Sequence, residues 1–107
     1  MAGTARAQVI FYIDSGADIT LIPHRVGKAL GFTQTKRDVV RRMKGISGAS
    51  VPYIIKNVVL QMNSTRLEIR VAWALVDKVP TLLGRLDIFD RFVVAFDQRN
   101  GLVTFQP

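Results

Sequence analysis

The chain has 107 residues, 49% apolar and 21% charged, which is the size of one small domain with enough apolar residues for a packed core and no segment of disordered composition. The absence of cysteine excludes disulfides, thiolate catalysis and cysteine-based metal sites, and a lone histidine, His24, excludes a histidine-rich one, so no metal or other cofactor is expected. Fifteen Lys and Arg against eight acids give a formal charge of +7, which admits anionic partners without choosing among them.

The opening "MAGTARAQ" lacks the apolar stretch of a secretory signal, and no apolar run approaches the roughly 18 residues that cross a bilayer. One soluble, cytoplasmic domain over residues 1–107 is therefore expected, with no membrane partner. The basic run "KRDVVRRMK" (36–44) is interrupted by apolar residues and has no aromatic platform, so it reads as a solvated face and weighs against nucleic acid.

In chain order, "AQVIFYI" (7–13) is dense in β-branched and aromatic residues and predicts a buried strand ending at Asp14. Ser15, Gly16 and Ala17 are small and predict a tight loop, after which "ITLI" (19–22) resumes strand character. Pro23 suits a first helical turn, Val26, Ala29 and Leu30 have helical spacing, and Gly31 is a stop signal, so a short helix follows with His24 exposed near its start. Residues 35–43 and 51–55 are β-prone and flank "GISGAS" (45–50), whose glycines and serines predict a mobile hairpin tip. No helix follows those glycines and no phosphate-loop pattern contains them.

"VVLQM", a turn at Asn63-Ser64 and "TRLEIRVAWAL" predict two antiparallel strands, with Leu67, Ile69, Val71, Trp73 and Leu75 on one face and Arg66, Glu68 and Arg70 on the other. Trp73 is then most simply a core anchor, with contact to a ligand in a neighbouring cleft as the alternative. "TLLG" (81–84) is a short apolar run ended by glycine, Leu86, Phe89 and Asp90 have the spacing of one helical turn, and "VVAFD", "QRNG" and "LVTF" make a closing hairpin. The fold class is mainly β, an antiparallel barrel-like or sandwich domain with one or two short helices.

Of the acids, only Asp14 lies between a hydrophobic strand and a small-residue loop. Hydrolysis by carboxylates needs two of them close enough to share a proton, one acting as acid and one as base. One chain has no second copy of the Asp14 surroundings, but a two-fold axis beside Asp14 supplies one.

"FYIDSGADITLIP" (11–23) resembles the active-site stretch of retropepsin-type aspartic peptidases, hydrophobic residues followed by Asp-[Thr/Ser]-Gly-Ala, and "PTLLGRLDIFDRFVVAF" resembles their second signature. The resemblance runs from Val9 to Phe105, and its "LLGR" and "FDRF" ending is most similar to single-domain cellular members of the family. It implies a closed β-barrel half-domain that dimerises with itself and hydrolyses peptide or protein substrates. Asp14 is then the catalytic aspartate, Ser15 bonds across the two-fold axis, and Gly16 admits the substrate backbone. Ala17 and Asp18 lie along the substrate, with Asp18 accepting its hydrogen bonds and pairing with Arg85. Gly45, Ile46, Ser47 and Gly48 form the tip of a flap. Arg41, Arg42 and Lys44 at its base favour acidic substrates.

Only 13 residues precede Asp14, fewer than is usual in the family, so the expectation is either an interface built mainly from "LVTF" or a shortened chain that is weak as a dimer. This departure keeps an alternative open, a catalytically silent retropepsin-like module for dimerisation or peptide binding. A basic nucleic-acid-binding β-domain is the third reading and rests on charge alone.

Overall fold

A computed structural model describes residues 5–14, 16–44, 48–62, 65–89, 91, 93–97, 99 and 102–106. Among these, six strands form one sheet in the order β1 (Tyr12–Ile13), β6 (Leu82–Leu83), β2 (Thr20–Ile22), β5 (Thr65–Ala74), β4 (Ser50–Met62) and β3 (Arg41–Lys44). A separate antiparallel hairpin joins β7 (Val93–Asp97) to β8 (Leu102–Gln106). The mainly β architecture with short helical elements and a curled sheet is the half-barrel the sequence led us to expect.

The topology turns on β6. Strands β1 and β2 follow one another in the chain, yet β6 lies between them, parallel to β1 through Tyr12↔Leu82 and Ile13↔Leu83 and antiparallel to β2 through Leu21↔Leu82. The 14–19 loop must therefore pass over the end of β6. Its carbonyls find partners there: the Arg85 N–H donates to Ala17 O and the Leu86 N–H to Asp18 O, both at 2.9 Å. At the crossing, a Cβ on Gly84 would stand 2.4 Å from the Ile19 carbonyl carbon, so only glycine fits.

Thr20 closes the same junction. It is fully buried, and its Oγ1 accepts the Gly84 N–H at 3.0 Å. Thr20→Val keeps the shape and removes the acceptor, leaving a buried N–H unpaired, and is expected to cost about 1–3 kcal/mol in urea denaturation, with Thr20→Ser much closer to wild type.

The core has two parts, one on each face of β5. Ile69, Val71 and Trp73 point into the larger cluster with Ile22, Ile54 and Ile88, as the period-two stripe predicts. Ala72 and Ala74 point the other way into a smaller cluster with Leu21 and Val51. The polar face expected from Arg66, Glu68 and Arg70 thus gives way to a second buried face in the last turn of the pattern.

Helix α1 (His24–Ala29) has its predicted start after Pro23 and its predicted stop. Gly31 takes φ +83°, the Phe32 N–H donates to Gly27 O at 2.9 Å and the Gly31 N–H to Lys28 O at 3.0 Å, which satisfies the last carbonyls in a Schellman motif. The helix sits so close over Trp73 that a Cβ on Gly27 would fall inside the indole. His24 is half-buried rather than exposed, because its ring stacks on Trp73 at 5.3 Å while its carbonyl accepts the indole N–H at 3.1 Å.

Other expectations need correction. The strand expected over 7–13 pairs only at Tyr12–Ile13, and it is not buried: Ile10, Tyr12 and Ile13 are 87%, 69% and 36% exposed, because β1 is the outer strand of the sheet. Residues 35–40 are not strand. Asp38 ties them into a turn by accepting the Thr35 N–H at 2.7 Å and pairing with Lys56 at 3.3 Å, so β3 begins only at Arg41. The segments 51–55 and 58–62 are one continuous strand, β4, paired to β5 throughout. The helix expected near Leu86 is a kinked turn over Arg85–Phe89, since Leu86 is extended and Asp87 has φ 67°. The turn residues Asn63, Ser64, Asn100 and Gly101, and Asp90, lie outside the described residues.

Candidate active site

The loop that bridges β6 carries the acid singled out in the sequence. Asp14 ends β1, its N–H donates to Leu83 O at 3.1 Å, and its own carbonyl accepts the Ala17 N–H at 3.1 Å. The carboxylate is half-buried, and its Oδ1 accepts the Gly16 N–H at 2.9 Å. A side chain at Gly16 would crowd that oxygen, with its Cβ at 3.2 Å. All three of these partners of Asp14 are thus backbone groups. Among the described residues no other carboxylate is joined to it by a hydrogen bond.

Beyond Asp14 opens a cleft of about 980 Å³. Ala17, Asp18 and Ile19 form the wall nearest the loop, the β3–β4 hairpin contributes Met43, Lys44 and Tyr53 among others, and residues 76–80 close the far side. The small cluster on the second face of β5 lies beneath it, and Leu21 and Val51 belong to both. The small side chains of Ala72 and Ala74 take up little of the room under this lining.

The hairpin at positions 41–53 is present, with Lys44↔Ser50 as its last described pair. Gly48 has φ +82°, and no described atom lies within 4 Å of where its Cβ would stand. Ser15 and the tip residues Gly45, Ile46 and Ser47 lie outside the described residues.

Arg85 is held near the site by its backbone, not by the expected ion pair: no Asp18–Arg85 pair forms among the described residues, and both side chains are exposed. The arginine–carboxylate pair of this region is a different one. Asp87, 8% exposed, accepts the Arg70 N–H at 2.8 Å, Arg70 Nε at 3.1 Å and Arg70 Nη2 at 3.0 Å, with Arg91 Nη2 3.9 Å away. The guanidinium hydrogen bonds hold the Asp87 carboxyl below the usual carboxylate range despite its burial, and the Arg70 N–H and the Arg91 charge act in the same direction. Asp87 fastens the turn after β6 to β5 and so steadies the strand to which Asp14 is pinned.

Because the folded value is depressed, this pair stabilises the protein above the unfolded carboxylate value and its contribution is lost as pH falls through the folded one. Asp38 is shifted in the same direction, chiefly by the Thr35 N–H. Wild type is thus expected to lose thermal stability as pH drops below about 4. Asp87→Asn should be less stable than wild type at neutral pH and flatter below that point, Asp38 supplying the slope that remains. Parallel acid loss in both proteins by calorimetry would exclude Asp87 as a source. Asp87→Ala should cost about 1–2 kcal/mol more than Asp87→Asn, since alanine lacks asparagine's tolerance of positive φ.

Sequence reasoning missed this pair and the 76–80 wall. Asp87 looked like a helix residue, and "VDKVP" carries no periodic signal. Asp77 within it is matched to α1: the Arg25 N–H donates to its Oδ1 at 2.8 Å and Arg25 Nη1 lies 3.7 Å from the same oxygen.

An acid thus stands on a small-residue loop, pinned to a wedged strand, beside a cleft that a β-hairpin helps to line. The family model for aspartyl proteases matches residues 3–85, which contain all of these elements. The chain belongs to the aspartyl protease family, in its retropepsin-like group. No curated protein matches it. Among the described residues no helix is long and apolar enough to cross a membrane.

Proposed function

We propose that residues 1–107 act as one domain and form an aspartic endopeptidase active as a homodimer, in which Asp14 of each copy contributes half of a catalytic dyad. The observation that carries this reading is the setting of Asp14: an acid aimed from the edge of a half-barrel, with exposed Ile10, Tyr12 and Ile13 on the chain leading to it. A second copy covering that edge removes apolar surface from water and brings its own Asp14 up to the first.

A water held between the two acids then attacks the scissile carbonyl. One carboxylate takes the water's proton as the other protonates the carbonyl oxygen, and collapse of the tetrahedral intermediate passes a proton to the leaving amine. Ser15 bonds across the axis. Gly16 and Ala17 leave room for extended substrate, Asp18 accepts substrate backbone N–H groups, and Gly45, Ile46, Ser47 and Gly48 close over it as a flap. Arg85 supports the wall through its N–H to Ala17. Substrate lies as an added strand, with alternate side chains in the apolar cleft.

The test is dilution. Specific activity on a mixed peptide library should fall as the protein is diluted through its dimer dissociation constant, tracking the dimer fraction from sedimentation, and a statine-type transition-state mimic should abolish it. Activity that persists unchanged in monomer rejects the shared dyad.

A further inference from the structure

The cleft lining is mostly apolar and carries four charged residues among those described, Asp18, Lys44, Asp77 and Lys78. Their partners differ. Asp77 is neutralised by Arg25, which approaches from α1 outside the cleft. Among the described residues Lys44 and Lys78 have no hydrogen bond or ion pair, and neither does the Asp18 side chain, which also lines the cleft. Of the cations at the base of the hairpin, Arg41 and Arg42 do not line the cleft, and Arg42 is engaged with Ser50 at 3.2 Å. Two lysines that no described residue pairs thus line one largely apolar cleft from separate elements, Lys44 from β3 and Lys78 from the 76–80 segment.

We infer that the cleft selects peptides that place an acidic side chain, Asp or Glu, among apolar neighbours, with Lys44 and Lys78 as the specificity-determining residues. The inference rests on the peptidase reading above, since it names the substrate class of the same site. Lys44 and Lys78 are exposed and line the same cleft as Leu21, Val51 and Leu82; a peptide that fills the cleft displaces part of their water, and a carboxylate on it supplies a partner. A neutral amide of the same shape gives the hydrogen bond without the charge, and a lysine repels.

The experiment compares matched peptides, rich in Val, Leu and Phe, that carry Glu, Gln or Lys in turn at each position around the scissile bond. Wild type should favour Glu over Gln at the best position by about tenfold in kcat/KM, a ratio that shrinks toward about two as salt rises from about 0.05 M to about 1 M. Lys44→Met/Lys78→Met should bring the ratio near one, and Lys44→Glu/Lys78→Glu should turn the preference toward Lys. Fluorescein-labelled forms of the same peptides, bound to Asp14→Asn and read by anisotropy, give the ranking without turnover. Cleavage with Glu and Gln equal within about twofold overturns this inference and leaves the peptidase intact. Binding that ranks Glu first in the absence of any cleavage by wild type supports the inference and overturns the activity. Neither cleavage nor discrimination in binding overturns both.

Discussion

Asp14→Asn should lose about 10²–10⁴-fold or more in kcat/KM while keeping its thermal midpoint, its dimer and its affinity for extended peptide. The substitution is nearly isosteric, and the described role of the side chain in the fold is one hydrogen bond, Oδ1 accepting the Gly16 N–H, which an amide oxygen accepts equally well. What asparagine cannot do is take a proton from water. Loss of cleavage with an unchanged melting curve and sedimentation profile therefore separates chemistry from architecture. Cleavage near the wild-type rate would remove Asp14 from the mechanism, whatever the assembly.

Gly84→Ala should be the most damaging small substitution for stability, by about 3 kcal/mol or more, which lowers the melting midpoint by about 10–20 °C in a domain of this size. The added methyl would meet Ile19 C at 2.4 Å, Ile19 O at 2.5 Å and Thr20 N at 2.8 Å, and all three are backbone atoms that have no rotamer to change. Relief requires β6 to part from the 14–19 loop. That separation stretches the Gly84 N–H to Thr20 bond and the Arg85 and Leu86 bonds to Ala17 and Asp18, so lost peptidase activity should accompany the lost stability. Thermal melts and activity measured on one preparation check both, and a midpoint within a few degrees of wild type would mean that the crossing is looser than these distances require.

The features legible in the sequence are those written in short spans. The β5 stripe from Leu67 to Leu75, the Gly31 stop after α1 and the glycine-bearing hairpin each announce themselves within about ten residues, because pleat, helix stop and turn are local constraints. The Asp14 loop belongs with them, since an acid followed by small residues between apolar runs is visible without any knowledge of what surrounds it. The wedging of β6 is not, because Leu82 and Leu83 are two residues without a period and their neighbours come from the other end of the chain. His24 was misread for the same reason: what half-buries it is Trp73, forty-nine positions away. The exposure of Ile10, Tyr12 and Ile13 was illegible because a β-branched run looks alike at the centre and the margin of a sheet. The Asp18–Arg85 pair was an inference from likeness, and here the chain uses Asp87 and Arg70 to anchor the same neighbourhood.

Pinning Asp14 to Leu83 also orders events in time. During synthesis the acid leaves the ribosome well before Leu83, and its loop lacks its support from β6 until the residues around Gly84 have followed. A nascent chain that stops short of that point carries every atom of the Asp14 stretch but lacks the strand that pins it. Such late, distant closure slows folding, and the arrangement around Asp14 cannot be complete before the residues around Gly84 have been made.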